Sequence, residues 1–159
     1  MTKNNSFDVV VIGAGFAGMY ALYKLRKLGF RVKVYERAGD VGGTWFWNRY
    51  PGARCDVNSL EYSYQFSEEL QQQWSWSERY SSQPEILRYA KHVAERFDLR
   101  RDIQFGTQVV QLEFNEANSL WSGKTDKGCE FHSNFLVMAT GCLSKSNTPN
   151  FTAIDSFGG

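Results

Sequence analysis

Three glycines near the N-terminus have a spacing that suits the binding of a phosphate group. The segment Gly13-Ala14-Gly15-Phe16-Ala17-Gly18 reads G-x-G-x-x-G and follows the apolar run Phe7-Asp8-Val9-Val10-Val11-Ile12. In this pattern Gly13 makes a tight turn, Gly15 lets the backbone approach a pyrophosphate, and Gly18 allows a helix to pack closely on a strand. The N-terminus of that helix adds N–H groups and the positive end of a dipole. The pattern therefore predicts a dinucleotide site.

An acidic residue, Glu36, follows the next apolar run, Arg31-Val32-Lys33-Val34-Tyr35. A carboxylate at this place accepts hydrogen bonds from both hydroxyls of an adenosine ribose, which favours FAD or NAD over NADP at this site. A glycine pair, Gly42-Gly43, comes six residues after Glu36 and indicates a second close approach of the backbone to the same ligand. Taken alone, this pair is also compatible with a simple glycine turn.

The elements that must position these residues form a β-α-β unit. Apolar residues recur at helical spacing from Gly15 to Leu28, and Gly29 ends that helix. A strand, a helix and a strand within so short a stretch predict two parallel strands joined by a right-handed crossover.

The rest of the chain predicts a mixed α/β domain. Residues 38–83 have weak periodicity, and residues 84–97 return to helical spacing. Short strands are predicted at residues 109–114, 120–125 and 129–132, as an antiparallel meander, and residues 135–139 are predicted to form a further buried parallel strand. We therefore expect a Rossmann-like parallel sheet with an inserted antiparallel β-meander.

Composition argues against several classes of function. The 159 residues include 18 Lys and Arg and 17 Asp and Glu, a net charge of +1, so we expect no nucleic-acid or membrane partner. The three cysteines, Cys55, Cys129 and Cys142, do not form a disulfide framework, and His92 and His132 lack a second ligand at metal spacing, so no metal is expected. Without a signal peptide or an apolar span, the sequence predicts a cytoplasmic protein.

A longer motif resembles a known family. The run Gly42-Gly43-Thr44-Trp45-Phe46-Trp47-Asn48-Arg49-Tyr50-Pro51-Gly52-Ala53-Arg54-Cys55-Asp56 is similar to the flavin-contacting segment of Baeyer–Villiger monooxygenases. The similarity continues through Glu61-Tyr62-Ser63-Tyr64, Trp74-Ser75-Trp76 and Ala139-Thr140-Gly141-Cys142-Leu143-Ser144. It implies an FAD-binding domain of the two-dinucleotide-binding-domain flavoprotein type over residues 1–145, with residues 146–159 as a linker towards an NADPH domain.

The resemblance also implies roles for individual residues. Glu36 would hold the FAD ribose, the backbone of Val109 would meet the adenine, and Asp56 would be the catalytic carboxylate, in a supporting role, by orienting an arginine that stabilises a flavin peroxide. Arg54, Cys55 and Asp56 would also border the docking place of the NADPH nicotinamide. The full set of implied cofactor-binding residues is Gly13, Gly15, Phe16, Ala17, Gly18, Glu36, Arg37, Gly43, Thr44, Trp45, Trp47, Arg54, Cys55, Asp56, Tyr62, Val109, Ala139, Thr140 and Gly141.

The activity implied by the resemblance belongs to a longer protein. Members of the family use FAD, NADPH and O₂ to convert ketones to esters or lactones through a C4a-peroxyflavin. Their fingerprint F-x-G-x-x-x-H-x-x-x-W would begin at Phe157-Gly158-Gly159, so we expect an N-terminal fragment whose partners are the remainder of the polypeptide, the ketone and O₂. Thr152-Ala153 stands where the family usually has Pro-Gly.

Three alternatives stay open at this point. An N- or S-oxygenating flavin monooxygenase shares the glycine motifs, and the fragment alone could be a non-catalytic FAD-binding module. An NAD-binding dehydrogenase domain is a third possibility, which the run from Gly42 to Trp45 disfavours.

Overall fold

The strands of the chain form one mixed sheet. In the computed structural model, which describes residues 5–156 and residue 158, the strands are β1 (Ser6–Ile12), β2 (Val32–Tyr35), β3 (Ile103–Gln104), β4 (Val109–Asn115), β5 (Leu120–Thr125) and β6 (Glu130–Met138). Their order across the sheet is β3-β2-β1-β6-β5-β4. Strands β3, β2, β1 and β6 pair in parallel, whereas β6, β5 and β4 pair antiparallel. The predicted α/β class, a parallel sheet with an antiparallel meander, is confirmed.

Four α-helices accompany the sheet in the described part of the chain. They are α1 (Phe16–Lys27), α2 (Thr44–Trp47), α3 (Glu68–Gln73) and α4 (Gln83–Arg96), and 3₁₀ turns lie at Ser59–Tyr62, Arg100–Asp102 and Ile154–Ser156. Helix α3 begins where the Ser67 hydroxyl accepts a hydrogen bond from the Leu70 N–H at 3.2 Å. Pro84 lies in the first turn of α4, where a missing N–H does no harm. The long stretch without clear periodicity therefore contains two short helices and a 3₁₀ turn that the sequence did not reveal.

The main core lies between the parallel strands and the helices α1 and α4. Val9, Val11 and Val34 are buried on the strands. They belong to one apolar cluster with residues of both long helices, including Met19, Leu22, Tyr89 and Val93. This packing fixes the carboxyl ends of β1 and β2 relative to the N-terminus of α1.

Strand β6 corrects one sequence prediction. The predicted strands at 129–132 and 135–139 are a single strand, which pairs with β1 on one side and with β5 on the other. Ser133 occupies the supposed break, but it is fully buried and lies in register with both Phe7 and Trp121. Pairing with β1 on one edge and with β5 on the other keeps Ser133 extended, so the strand continues through the gap between the two predicted strands.

The meander bends over the parallel sheet. The ring of Phe131, on the antiparallel half of β6, stacks on Tyr35 of β2 with centroids 4.8 Å apart. Since β1 lies between β2 and β6 in the sheet, the two rings can meet only if the start of β6 curls over the sheet face. Gly123 of β5 makes room for the contact, because a Cβ atom at this position would overlap the Phe131 ring.

We predict that Gly123→Ala destabilises the protein by about 1–3 kcal/mol, since Phe131 is fully buried and cannot swing away. Urea denaturation followed by circular dichroism measures the change. The matched control is Gly39→Ala, at an exposed position with open space around the added methyl group, where we expect less than about 0.5 kcal/mol. Equal effects of the two substitutions would contradict the proposed fit of Phe131 over Gly123.

Candidate functional site

The glycine-rich loop after β1 has the geometry that its sequence predicts. Gly13 has φ +103°, and a Cβ there would lie 2.5 Å from the Ala139 carbonyl oxygen. A Cβ on Gly18 would overlap the Gly13 carbonyl, so α1 packs directly on the loop. The first turn of α1 carries no acidic side chain. The helix N-terminus therefore presents N–H groups and a partial positive charge that suit a phosphate.

The carboxylate of Glu36 ties this loop to the end of β2. One oxygen accepts a hydrogen bond from the Ala14 N–H at 2.5 Å, and the other accepts from the Ala38 N–H at 2.6 Å. Only 6% of Glu36 is exposed, so these bonds are made in a largely desolvated place. Each carboxylate oxygen has a second lone pair, which leaves Glu36 able to accept from a ligand hydroxyl as well.

The second glycine pair meets the first loop backbone to backbone. The Gly42 N–H donates to the Ala14 carbonyl at 3.1 Å. A Cβ on Gly15 would lie 3.4 Å from the Gly43 Cα, and one on Gly43 would lie 2.9 Å from the Gly15 Cα. Two crossing loops without side chains form a floor on which an extended ligand can lie close to the backbone.

Asp40 lies just before the second glycine pair and forms ion pairs that anchor this segment. Its carboxylate contacts Arg100 at 2.7 Å and Lys91 at 3.0 Å. Partial burial alone would raise the pKa of Asp40, but the hydrogen bonds from these two cations outweigh it and hold the pKa below its usual value. The ion pairs anchor the loop between β2 and α2 to α4 and to the Arg100–Asp102 turn.

A cleft of about 610 Å³ lies above these loops, at the carboxyl ends of β1, β2 and β6. Its volume falls within the usual range for small-molecule and cofactor sites. It is lined by fifteen of the residues implied by the family resemblance: Gly13, Gly15, Phe16, Ala17, Glu36, Arg37, Gly43, Thr44, Trp45, Trp47, Tyr62, Val109, Ala139, Thr140 and Gly141.

Several residues of the lining were missed from the sequence: Ile12, Tyr35, Gly42, Thr107, Gln108, Met138, Leu143 and Ser144. Thr107 reaches the cleft because its N–H donates to the Glu36 carbonyl at 2.9 Å, which continues the pairing of β2 with β3. A strand of two residues leaves no periodic signal, so this contact could not be read from the sequence. Gly42 could have been included, since it stands beside Gly43 in the same glycine pair.

One end of the cleft is aromatic and its rim is held by hydrogen bonds. The rings of Trp45 and Tyr62 meet edge to face at 5.4 Å, and burial raises the pKa of Tyr62, so its phenol stays protonated at neutral pH. Arg37 lies over the Trp47 ring at 4.9 Å and donates to the Ser144 carbonyl at 2.8 Å. Asn48 donates to the Leu143 carbonyl at 3.0 Å. These bonds join the segment after β6 to the opposite wall.

Four implied residues lie outside the lining. Gly18 lies beneath the loop, and Cys55 is buried against Trp45 and Ile86. Arg54 donates to the Glu78 carboxylate at 2.8 Å and to the Tyr80 carbonyl at 2.7 Å. Asp56 is exposed next to this segment. Burial contributes most to the raised pKa of Tyr62, and the nearby Asp56 carboxylate raises this pKa further, so Asp56 lies close to the aromatic end of the cleft without being part of its lining.

Two further features concern the described residues only. Within residues 5–156 and 158, no three His, Cys, Asp or Glu side chains come together as metal ligands. Over the same residues, every helix is too short or too polar to cross a membrane. The family fingerprint predicted to begin at Phe157-Gly158-Gly159 falls largely outside the described residues, since Phe157 and Gly159 are not among them.

We predict that Glu36→Gln weakens the fold even without a ligand. A glutamine offers one accepting oxygen, and its NH₂ group would face one of the two backbone N–H donors, so we expect a loss of about 1–3 kcal/mol in the free energy of unfolding. Urea denaturation of the ligand-free protein measures it, with the exposed turn residue Glu116→Gln as the control. An unchanged midpoint for Glu36→Gln would show that the carboxylate does not hold the loop.

Known proteins are similar in sequence to this chain along nearly its whole length. The model of an NAD(P)-binding Rossmann-like domain matches residues 11–74. A Baeyer–Villiger monooxygenase of Pseudooceanicola batsensis is 48% identical over 159 residues, which cover 99% of this chain and 29% of the relative. The phenazine N-monooxygenase PhzNO1 of Lysobacter antibioticus is 45% identical over 154 residues, which cover 96% of this chain and 28% of that protein.

Solved structures of monooxygenases are similar to this chain in both sequence and fold. The structure of an oxidised steroid monooxygenase bound to NADP is 56% identical and superposes with a TM-score of 0.90 over 94% of this chain and 29% of that one. The chain thus spans less than a third of the length of these relatives. Its sequence and its fold are together similar to the N-terminal part of Baeyer–Villiger monooxygenases.

Proposed function

We propose that the cleft binds FAD in an extended conformation. The observation that carries this proposal is the crossing of the two glycine loops, at Gly15 and Gly43, between the buried carboxylate of Glu36 and an aromatic wall. Glycines at the crossing leave space that a Cβ would fill, and the α1 N-terminus supplies donors for a diphosphate. FAD has a diphosphate at its centre, a ribose on one side and a flat ring system on the other, so these residues fit the cofactor.

Each part of the chain has a distinct task in this proposal. The N-terminus of α1 binds the diphosphate, and Glu36 accepts from the ribose hydroxyls with its remaining lone pairs. Thr107, Gln108 and Val109 line the cleft. In this proposal Val109 contacts the adenine. Thr44, Trp45 and Trp47 line the flavin, and Tyr62 donates a hydrogen bond from its protonated phenol. Arg37 and Asn48 close the rim through the Leu143 and Ser144 carbonyls.

We further propose that the protein is an NADPH- and O₂-dependent Baeyer–Villiger monooxygenase acting on a ketone. When bound, the flavin supplies the redox and oxygen-activating chemistry, and the chain contributes placement and electrostatics. The names of the relatives support this activity, and the NADP-bound steroid monooxygenase supports the nicotinamide cofactor. Arg54, Cys55 and Asp56 are proposed to border the nicotinamide from outside the FAD cleft.

N-oxygenation is a second candidate activity. It is favoured by the similarity to a phenazine N-monooxygenase, whose identity to this chain is close to that of the Baeyer–Villiger relative. Incubating the full-length protein with NADPH, O₂ and either a ketone or a phenazine separates the two. Ester or lactone formation supports the first activity, whereas an N-oxide without ester would replace it by the second.

The FAD proposal predicts a specific effect of Gly15→Ala. The added methyl group lies in contact with Gly43 and occupies the place where the diphosphate approaches, so we expect FAD affinity to fall about tenfold or more, equal to about 1.4 kcal/mol. Gly15 has φ −73°, so alanine is not strained there. Flavin fluorescence titration measures the affinity, and Gly39→Ala serves as the matched control. Equal affinity in both variants would count against the diphosphate position.

A second prediction concerns Asp56. If this carboxylate orients a cation beside the flavin, Asp56→Asn in the full-length protein should slow ester formation about 100-fold, as expected for the loss of an electrostatic stabiliser. NADPH consumption should continue, with hydrogen peroxide replacing ester. The control is Glu61→Gln, another exposed carboxylate in the same segment. A normal ester yield per NADPH in Asp56→Asn would leave Asp56 as an ordinary loop carboxylate.

A further inference from the structure

A row of contacting aromatic rings, which we call the aromatic file, begins in the wall of the cleft. Trp45 and Tyr62 both line the cleft, and their centroids are 5.4 Å apart. The Tyr62 ring meets Phe16, at the start of α1, edge to face at 5.5 Å. Phe16 lines the cleft as well, so these three contacting rings all belong to the cleft wall.

The same file continues to the protein surface. Phe16 contacts Tyr64 at 5.4 Å, and Tyr64 lies nearly parallel to Tyr20 at 6.4 Å. Tyr20 is 43% exposed on the outer side of α1. Tyr89 contacts both Phe16 and Tyr64, at 6.2 Å and 6.1 Å, and gives the central step a second ring. Each ring contact lies within the range of ordinary aromatic pairs.

Apart from Phe16, the members of this file are indoles or phenols, which are among the side chains most easily oxidised by one electron. Electrons tunnel readily between rings in contact, and Phe16, which resists oxidation, can serve as a bridge from Tyr62 to Tyr64. We propose that this file, resting on the proposed flavin site, carries electrons from Tyr20 to a one-electron oxidant in the cleft, the light-excited isoalloxazine ring of bound FAD. Its function is to draw oxidising equivalents away from the site.

The electrons and protons of the route balance with a thiol as the final donor. The oxidant gains one electron from Trp45, and electrons from Tyr62, Tyr64 and Tyr20 refill the rings in turn. Tyr20 then releases its phenol proton to water and remains as a neutral radical. A thiol in solution returns a hydrogen atom to Tyr20 and becomes a thiyl radical. The net change is one electron to the oxidant, one proton to water and one thiol oxidised by one electron.

The hydrogen bonds explain why Tyr20 is the end of the route. The Tyr64 hydroxyl donates to the Phe16 carbonyl at 2.5 Å, and burial raises the pKa of this tyrosine far above its usual value. A carbonyl oxygen does not take up the proton that an oxidised phenol must lose, so oxidation does not settle on Tyr64. The exposed Tyr20 can lose its proton to solvent.

The first test uses FAD as the probe and light to make it an oxidant. The FAD-loaded protein is illuminated with blue light in the presence of a nitroso spin trap, and the adduct is located by peptide mass spectrometry. We expect an adduct on Tyr20, and its loss in Tyr64→Phe, which keeps the ring but removes the oxidisable phenol. The matched control is Tyr23→Phe on the same helix, whose ring stacks on Phe66 and meets Phe97. An undiminished Tyr20 adduct in Tyr64→Phe would overturn the proposal.

The second test needs no flavin, so it separates this inference from the proposed cofactor. Azide radicals made by pulse radiolysis oxidise indoles in preference to phenols. We expect the indole radical absorbance to convert to phenoxyl absorbance at a rate independent of protein concentration, and to convert more slowly in Tyr64→Phe than in Tyr23→Phe. If conversion is absent, or equal in both variants, the aromatic file does not conduct. Failure to retain FAD would instead count against the proposed function alone.

Discussion

The buried carboxylate of Glu36 is the constraint on which the site depends. It joins the loop after β1 to the residue that follows β2, through the N–H groups of Ala14 and Ala38. A charged acceptor with two backbone donors is among the stronger hydrogen-bonding arrangements in proteins, at about 1.5–3 kcal/mol for each bond to a charged group. Burial of the same carboxylate would be costly without these partners. Glu36 therefore shapes the loop before any ligand arrives.

The other parts of the site follow from that fixed loop. Because Ala14 is held, its carbonyl is placed to accept from Gly42, and the second glycine loop crosses the first at Gly15. The crossing directs α2 so that Trp45 faces the cleft and packs on Cys55 and Tyr62. Asp40 completes the arrangement by joining the approach to the crossing with α4. A small set of backbone contacts thus links the phosphate-binding end of the cleft to its aromatic end.

The sequence predicts well those parts that depend on local patterns. The β-α-β unit, the glycine loop and the strands of the meander have clear spacing, and the structure has them near the predicted bounds. The two-residue strand β3 and the helix α3 lacked a periodic signal, and Ser133 looked like a break because its burial depends on two neighbouring strands. Thr107 and Gln108 reach the cleft only through pairing between distant segments. That Arg54 and Asp56 are not part of the lining likewise depends on tertiary packing.

The central claim is that one cleft binds both halves of FAD, with the ADP half held by Glu36 and the glycine loops. Calorimetric titration with FAD and with FMN, which has the flavin but lacks the ADP half, tests it most directly. The account predicts that FAD binds about tenfold to 100-fold more tightly than FMN, because only FAD has an adenosine ribose that can donate hydrogen bonds to the charged Glu36. Substituting Glu36 with alanine should remove most of that difference. Equal affinities for FAD and FMN in the parent protein would contradict the account.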